Sequence, residues 1–290
     1  SQKRKELYKL LTPCFLLKEP YQPGVKTHVL KKKFYQELLY ILGLREEKIN
    51  NKMRILLDET IKNSFAEQIY HRYNDDKDLY GEKAYEKTLE LIIIWINRIL
   101  FVKLFEGQLL KFNSRRDDFQ ILNIDKITSF KDLQNLFFNV LGKRIRDTTE
   151  FYNQFKKIPY LNSSLFERQK IEYDDYNIGI LNNDNIVIYP KTVLTKEYPQ
   201  KAPLLRYLFD FLNAYEFGTN LNEVKSNKKD IIDAAVLGLL FEKINGYKDG
   251  SYYTKSSVTE YMAKYAIEQL VIDRVNTIKK WKCKSLSDIK

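Results

Sequence analysis

Glycine and proline are scarce in this sequence, ten and seven in 290 residues, roughly half the usual combined share. A chain with so few breakers favours long helices over many strands and turns. The shortage also removes whole chemistries. No two glycines stand in a G-x-G arrangement. That excludes the loops whose backbone closes on a dinucleotide, on a kinase-bound phosphate or on the cofactor of a complete methyltransferase. There is no G-x-x-x-x-G-K-S/T, so no nucleotide-hydrolysing P-loop, and no proline is followed by Asp or preceded by Asn. The Pro-Asp…Glu-x-Lys nuclease signature and the Asn-Pro-Pro-Tyr loop of amino-methyltransferases are therefore both missing. Histidine and cysteine are as rare. His28 and His71 lie far from each other and from Cys14 and Cys283. Neither a zinc cluster nor a disulfide framework is supported, and a reducing, cytoplasmic home is expected. No recognisable catalytic centre is left.

What is abundant points elsewhere. Lys and Arg number 49 against 38 Asp and Glu, a formal charge of +11, which suits a polyanion such as nucleic acid. Aromatic residues (21 Tyr, 17 Phe, 2 Trp) are ample for a core, so wholesale disorder is excluded. Ser1 to Leu10 alternates charged residues with Leu and has no apolar segment of a secretory signal. Leu91 to Leu110 is long enough to span a bilayer but carries Asn97, Arg98, Lys103 and Glu106. Each central charge would cost about 2.5 to 3.5 kcal/mol there, so this is read as a buried core helix and no membrane partner is expected.

From Lys31 the pattern is helical, with Phe34, Leu38, Ile41 and Leu42 on one face and Gly43 as the stop. Met53 to Ile69 reads as a second amphipathic stretch, Asn74 to Asp78 as a charged loop, and Glu82 to Lys111 as one long helix apolar almost all round. Such a helix is normally enclosed by others. Asp132 to Leu141 is a further short helix, and Ile158-Pro159-Tyr160-Leu161-Asn162 an extended segment, because proline pushes its predecessor out of the helical region. Ile178 to Leu181 and Ile186 to Tyr189, separated by Asn182 to Asn185, predict a hairpin. Helices resume at Pro203, with Leu204, Leu208, Phe211, Leu212 and Tyr215 on one face. Asp230 to Lys243 follows, with the stripe Ile232, Ala235, Val236, Leu239 and Leu240, ended by Gly246. Ser257-x-x-Glu260 is a capping box for the last helix, with Val258, Tyr261, Met262 and Tyr265 expected to face inward. The predicted fold class is mainly α, a multi-helix bundle with a small β-hairpin insertion in the middle.

One segment is specific: Val236-Leu237-Gly238-Leu239-Leu240-Phe241-Glu242-Lys243, then Asp249-Gly250-Ser251-Tyr252-Tyr253-Thr254, then Tyr261-Met262. It resembles the signature that opens the adenine-N6 methyltransferase module of type IIG restriction–modification enzymes. Three further blocks resemble the helical region upstream of that module: Phe34 to Leu44, Trp95-Ile96-Asn97-Arg98, and Ile158 to Glu167. The resemblance runs from about Phe34 to Met262 in the family's order. It implies a lead-in over 1–30, a helical connector over 31–228 with the small hairpin near 178–189, and the N-terminal edge of a truncated methyltransferase over 229–290.

By the same resemblance Tyr253 and Thr254 are candidates for contact with S-adenosylmethionine, with Gly250 and Ser251 supporting the turn. The chain departs from the family with Lys255 where proline usually follows the threonine. The family's glycine-rich and Asn-Pro-Pro-Tyr loops are absent from the 36 residues after Thr254, so the chain is expected to be an inactive fragment. Its implied partners are double-stranded DNA and the remaining methyltransferase, nuclease and target-recognition domains. Two alternatives stay open: a subunit of a split DNA methyltransferase, and a basic helical nucleic-acid-binding or scaffold protein.

Four basic clusters could reach phosphates: Lys31-Lys32-Lys33, Lys111 with Arg115 and Arg116, Lys143-Arg144-Ile145-Arg146, and Lys279 to Lys284. Singly each reads as a solvated face. Glu223-Val224-Lys225 with Asp210 matches part of a nuclease set, but Asp210 lies in a helical pattern, so surface charge is the preferred reading.

Overall fold

The computed structural model describes residues 31–49, 52–74, 81–145, 149–173, 176–218, 230–245 and 256–288. The chain divides into two compact units. The larger is Val29–Ser251; the described part of the other is 256–288.

The larger unit is mainly α and is organised around one helix. In chain order it contains α1 (Lys32–Leu42), β1 (Leu44–Ile49), β2 (Lys52–Leu57), α2 (Phe65–Asn74) and α3 (Glu82–Phe112). Next come α4 (Phe130–Asn135), which runs into a wide π-helical turn (Leu136–Leu141), and the short α5 (Glu150–Asn153). β3 (Asn185–Val187), β4 (Lys201–Pro203), α6 (Leu204–Asn213), β5 (Glu216–Phe217), β6 (Ile231–Ile232) and α7 (Ala234–Asn245) complete it. Single 3-10 turns over Ser164–Phe166, Lys170–Glu172 and Ile178–Ile180 join the middle elements.

α3 is 31 residues long and is enclosed as its all-round apolar character requires. Leu91, Ile92, Trp95, Ile96, Ile99, Leu100 and Val102 are buried. Among the described residues no helix is long and apolar enough to cross a membrane. α1 ends as expected at Gly43, which adopts the left-handed conformation at φ 75° and whose N–H bonds to Tyr40 O. The predicted faces of α1 and α6 meet: Phe34 stacks on Phe211 at 5.3 Å and meets Tyr215 edge-on at 4.9 Å. Burial of each such ring contributes roughly 1.5–3 kcal/mol.

Several expectations are corrected; the helix expected from Asp230 begins only at Ala234, after strand β6. Met53 to Ile69 is not one helix. Lys52–Leu57 pairs antiparallel with Leu44–Ile49, Asp58 Oδ1 accepts from the N–H and hydroxyl of Thr60, and only then does α2 begin. Met53, Leu57, Ile61, Phe65 and Ile69 recur every four residues and so imitate a helical stripe across a strand, a turn and a helix. The middle hairpin exists, but Ile178–Ile180 is not its partner strand. Asn177 Oδ1 accepts from Gly179 N–H and closes a 3-10 turn there. β3 pairs instead with β4, Ile186 opposite Ala202. β5 and β6 form a third, parallel two-stranded pair.

In the other unit α8 (Ser256–Lys279) is followed by a 3-10 turn at Leu286–Asp288. Met262 and Tyr265, expected to face inward, are instead 60 % and 55 % exposed. α8 carries apolar residues on every side, and Ile267, Leu270 and Ile278 are exposed as well.

Candidate functional site

The candidate cofactor turn, Gly250, Ser251, Tyr253 and Thr254, lies outside the described residues, as do Glu223-Val224-Lys225, Arg146, His28 and Asp75 to Asp78. The approach to the turn is described. α7 starts where Asp233 Oδ1 accepts from Val236 N–H at 2.8 Å. Val236, Leu237, Leu240 and Ile244 are buried, whereas Leu239 is exposed. At its last turn Lys243 Nζ lies 2.7 Å from Glu46 of β1 and 4.2 Å from the centroid of the Tyr35 ring. Tyr35 in turn donates to Glu46 at 2.8 Å. These contacts anchor α7 within the larger unit.

Two of the blocks singled out above meet at one guanidinium. Arg98, in the middle of α3, donates to both oxygens of Glu172 (Nη2 to Oε2, 2.7 Å). Its Nε donates to Leu165 O at 2.6 Å and Nη2 also to Glu167 O at 2.8 Å. Trp95 Nε1 donates to Glu172 at 3.0 Å. Neither Arg98 nor Glu172 exposes any side-chain surface. Fixed donors and acceptors of this kind hold the Ile158–Glu167 segment to the core helix. On the π-helical turn, the Phe138 ring packs against two guanidinium groups, that of Arg98 at 4.9 Å and that of Arg168 at 5.0 Å.

The other buried charges of α3, Lys103 and Glu106, are also paired. Lys103 bridges Glu106 and Asn213, and Glu106 Oε2 accepts the N–H groups of Ile121 and Leu122 at 2.7 Å each. Glu37 of α1 is buried and accepts from the Thr192 and Tyr207 hydroxyls and from Val193 N–H. Burial pushes its carboxyl above the ordinary carboxylate range despite these three donors. Glu37 and Glu172 escape a motif-based reading; for Glu37 the available signal is a charge among the apolar positions of α1, which requires a buried partner, whereas Glu172 sits in a polar stretch that gives none. Asp210 accepts from the Tyr198 hydroxyl at 2.7 Å and sits in α6. Among the described residues no group of three or more His, Cys, Asp or Glu could hold a metal ion.

The basic clusters are not equivalent. Lys31 pairs with Asp230, Arg115 with Glu216, and Arg116 and Lys157 share Asp118, whose carboxyl they hold below its ordinary value. Lys143 and Arg144 are exposed and follow Gly142, where a Cβ would lie 2.7 Å from Phe166 O. That close approach sets the Lys143–Arg144 loop beside the Phe166–Lys170 segment. The fourth cluster begins at the last residue of α8.

A protein of Methanocaldococcus jannaschii named as a type II restriction enzyme and methyltransferase is 26 % identical over 212 residues, covering 67 % of this chain and 16 % of its own length. The chain thus spans about a sixth of that relative, and no solved structure matches it. Residues 27–232 match the family described as "Domain of unknown function (DUF7814)"; this stretch holds the Arg98–Glu172 junction and all but the last element of the larger unit, and the chain belongs to that family.

Proposed function

We propose that the chain is the α-helical connector of a type IIG restriction–modification protein, with the first edge of its adenine-N6 methyltransferase, and that it works in the cytoplasm. In this reading 31–228 is the connector, 229–290 the methyltransferase edge and 1–30 a lead-in. Gly250, Ser251, Tyr253 and Thr254 border the pocket for S-adenosylmethionine, the methyl donor of the complete parent. Duplex DNA and the nuclease, methyltransferase and target-recognition domains are the partners. The sequence match to the named restriction enzyme supports the restriction–modification relationship.

The observation that carries the reading of the chain as one part of a larger protein is the apolar surface of α8, in the methyltransferase edge. A helix with apolar residues on every side is normally enclosed, and Ile267, Leu270 and Ile278 are more than 60 % exposed. Such a helix is built to be packed into a further domain. The absence of glycine-rich and Asn-Pro-Pro-Tyr loops from the sequence fits a part that transfers no methyl group alone.

The test has two arms. Titration of the chain with duplex DNA is expected to give sequence-independent, salt-sensitive binding and no methyl incorporation. Methylation of duplex DNA by the purified chain would sink the connector reading. Calorimetric titration with S-adenosylmethionine, repeated on a Tyr253→Ala, Thr254→Ala variant, addresses the pocket edge. Heat that the wild type gives and the variant does not would support it; identical heats from both would overturn it.

A further inference from the structure

Beyond α8 the chain makes a closed hook. Lys280 takes the left-handed conformation at φ 55° and turns the backbone out of the helix. Asn276 then grips Cys283 twice: its Nδ2 donates to Cys283 O at 2.9 Å and its Oδ1 accepts from Cys283 N–H at 2.8 Å. Asp288 Oδ2 accepts from the N–H groups of Lys284 and Ser285 at 2.8 and 2.9 Å, donors that hold its carboxyl below the ordinary range. Cys283 points inward and is buried. The clamp leaves Lys279, Lys280, Lys282 and Lys284 exposed. Among the described residues none of their ammonium groups has an acidic partner. Trp281, 43 % exposed, stands between them.

We propose that this hook is a polynucleotide-binding element in which the lysines hold phosphates and Trp281 stacks on an unpaired base. Four cations on a rigid turn with one aromatic face among them match the requirements for holding a single strand, and placement at a helix C-terminus favours the positive charges. The proposal rests on nucleic acid being the partner of this chain. Its new content is the place and the mode.

The two tryptophans make the test direct. Trp95 is fully buried and Trp281 is exposed, so quenching by a bound base reports on Trp281 alone. Titrating the full chain with an oligothymidylate is expected to quench emission. If all four lysines neutralise phosphates, affinity should fall about fifty-fold between 50 and 200 mM salt. Lys280→Gln, Lys282→Gln, Lys284→Gln should flatten that dependence to about three-fold. Trp281→Leu should abolish the quench, with Trp95 emission as the check on folding. Binding of duplex or single strand with no quench and no effect of the lysine changes overturns the hook but leaves DNA as the partner. Binding of neither strand type overturns both. A blue shift of Trp281 on anionic phospholipid vesicles, with no response to oligonucleotide, overturns the proposal in favour of a membrane surface.

Discussion

Arg98 and Glu172, far apart in sequence, face each other as a bidentate ion pair with no exposed surface on either side chain. Two buried ions are expensive to desolvate, and their attraction offsets that cost only while both are present and hydrogen-bonded. Arg98 has further acceptors in Leu165 O and Glu167 O, and Glu172 a further donor in Trp95. Arg98→Met leaves a lone buried carboxylate and is expected to destabilise the fold by about 3–5 kcal/mol. Joining it to Glu172→Met should cost clearly less than the sum of the single changes. Urea unfolding of the four proteins checks this, and additive losses would mean that the pair is not coupled.

At the end of α1 a second close relationship is steric. Gly43 has φ 75°, and a Cβ there would lie 2.2 Å from Ser64 Oγ and 2.8 Å from Ser64 Cβ. Gly43→Ala combines left-handed backbone strain with overpacking, and a loss of roughly 2–4 kcal/mol is expected. Ser64→Gly in the same chain should recover the steric part and leave the backbone part. Thermal melts of the single and double variants separate the two; equal melting temperatures would show that the alanine is accommodated by movement elsewhere.

Much of this architecture is legible in residue order, for physical reasons that differ by element. α3 is readable because an uninterrupted apolar segment without glycine or proline at its centre leaves few conformations open, and its charges imply buried partners. α6 is readable from its stripe, which buries Leu204, Leu208, Phe211 and Leu212 as expected. β1 is not, because Leu-Arg-Glu-Glu-Lys-Ile has the composition of an exposed helix, and its strand state is set by pairing with Lys52–Leu57. β3 takes its partner from Lys201–Pro203, across a connection that local pattern cannot foresee. Of the candidate site, the four cofactor-turn residues rest on family resemblance, whereas the Arg98 junction is a tertiary fact that only chain folding reveals.

The apolar surface of α8 has a measurable consequence. With Ile267 and Leu270 61 % and 62 % exposed, the isolated chain should bind a hydrophobic dye strongly. Ile267→Gln with Leu270→Gln should lower the fluorescence by at least half. Because both side chains lie on the surface, the unfolding free energy should stay within about 0.5 kcal/mol of the wild type. Unchanged dye fluorescence would place the apolar surface elsewhere and remove the observation on which the proposed packing against a further domain leans.

Glu37 supplies a pH dependence whose sign is fixed by its surroundings. Burial raises its folded-state carboxyl above the ordinary value, so between the two values the folded chain binds more protons than the unfolded one. Stability must then fall as pH rises through that window and stay at the lower level above it. The opposite trend is usual for exposed, ion-paired carboxylates, whose stabilisation is lost on acidification. Glu37→Gln removes the titration while keeping an acceptor for the Tyr207 and Thr192 hydroxyls, at the cost of about 1 kcal/mol for an amide group set against Val193 N–H. Urea midpoints measured from about pH 4 upward should therefore show the wild type losing its advantage over the variant as pH rises. An advantage that stays constant, or grows with pH, would mean that Glu37 is held ionised by its three donors and that burial does not govern its proton.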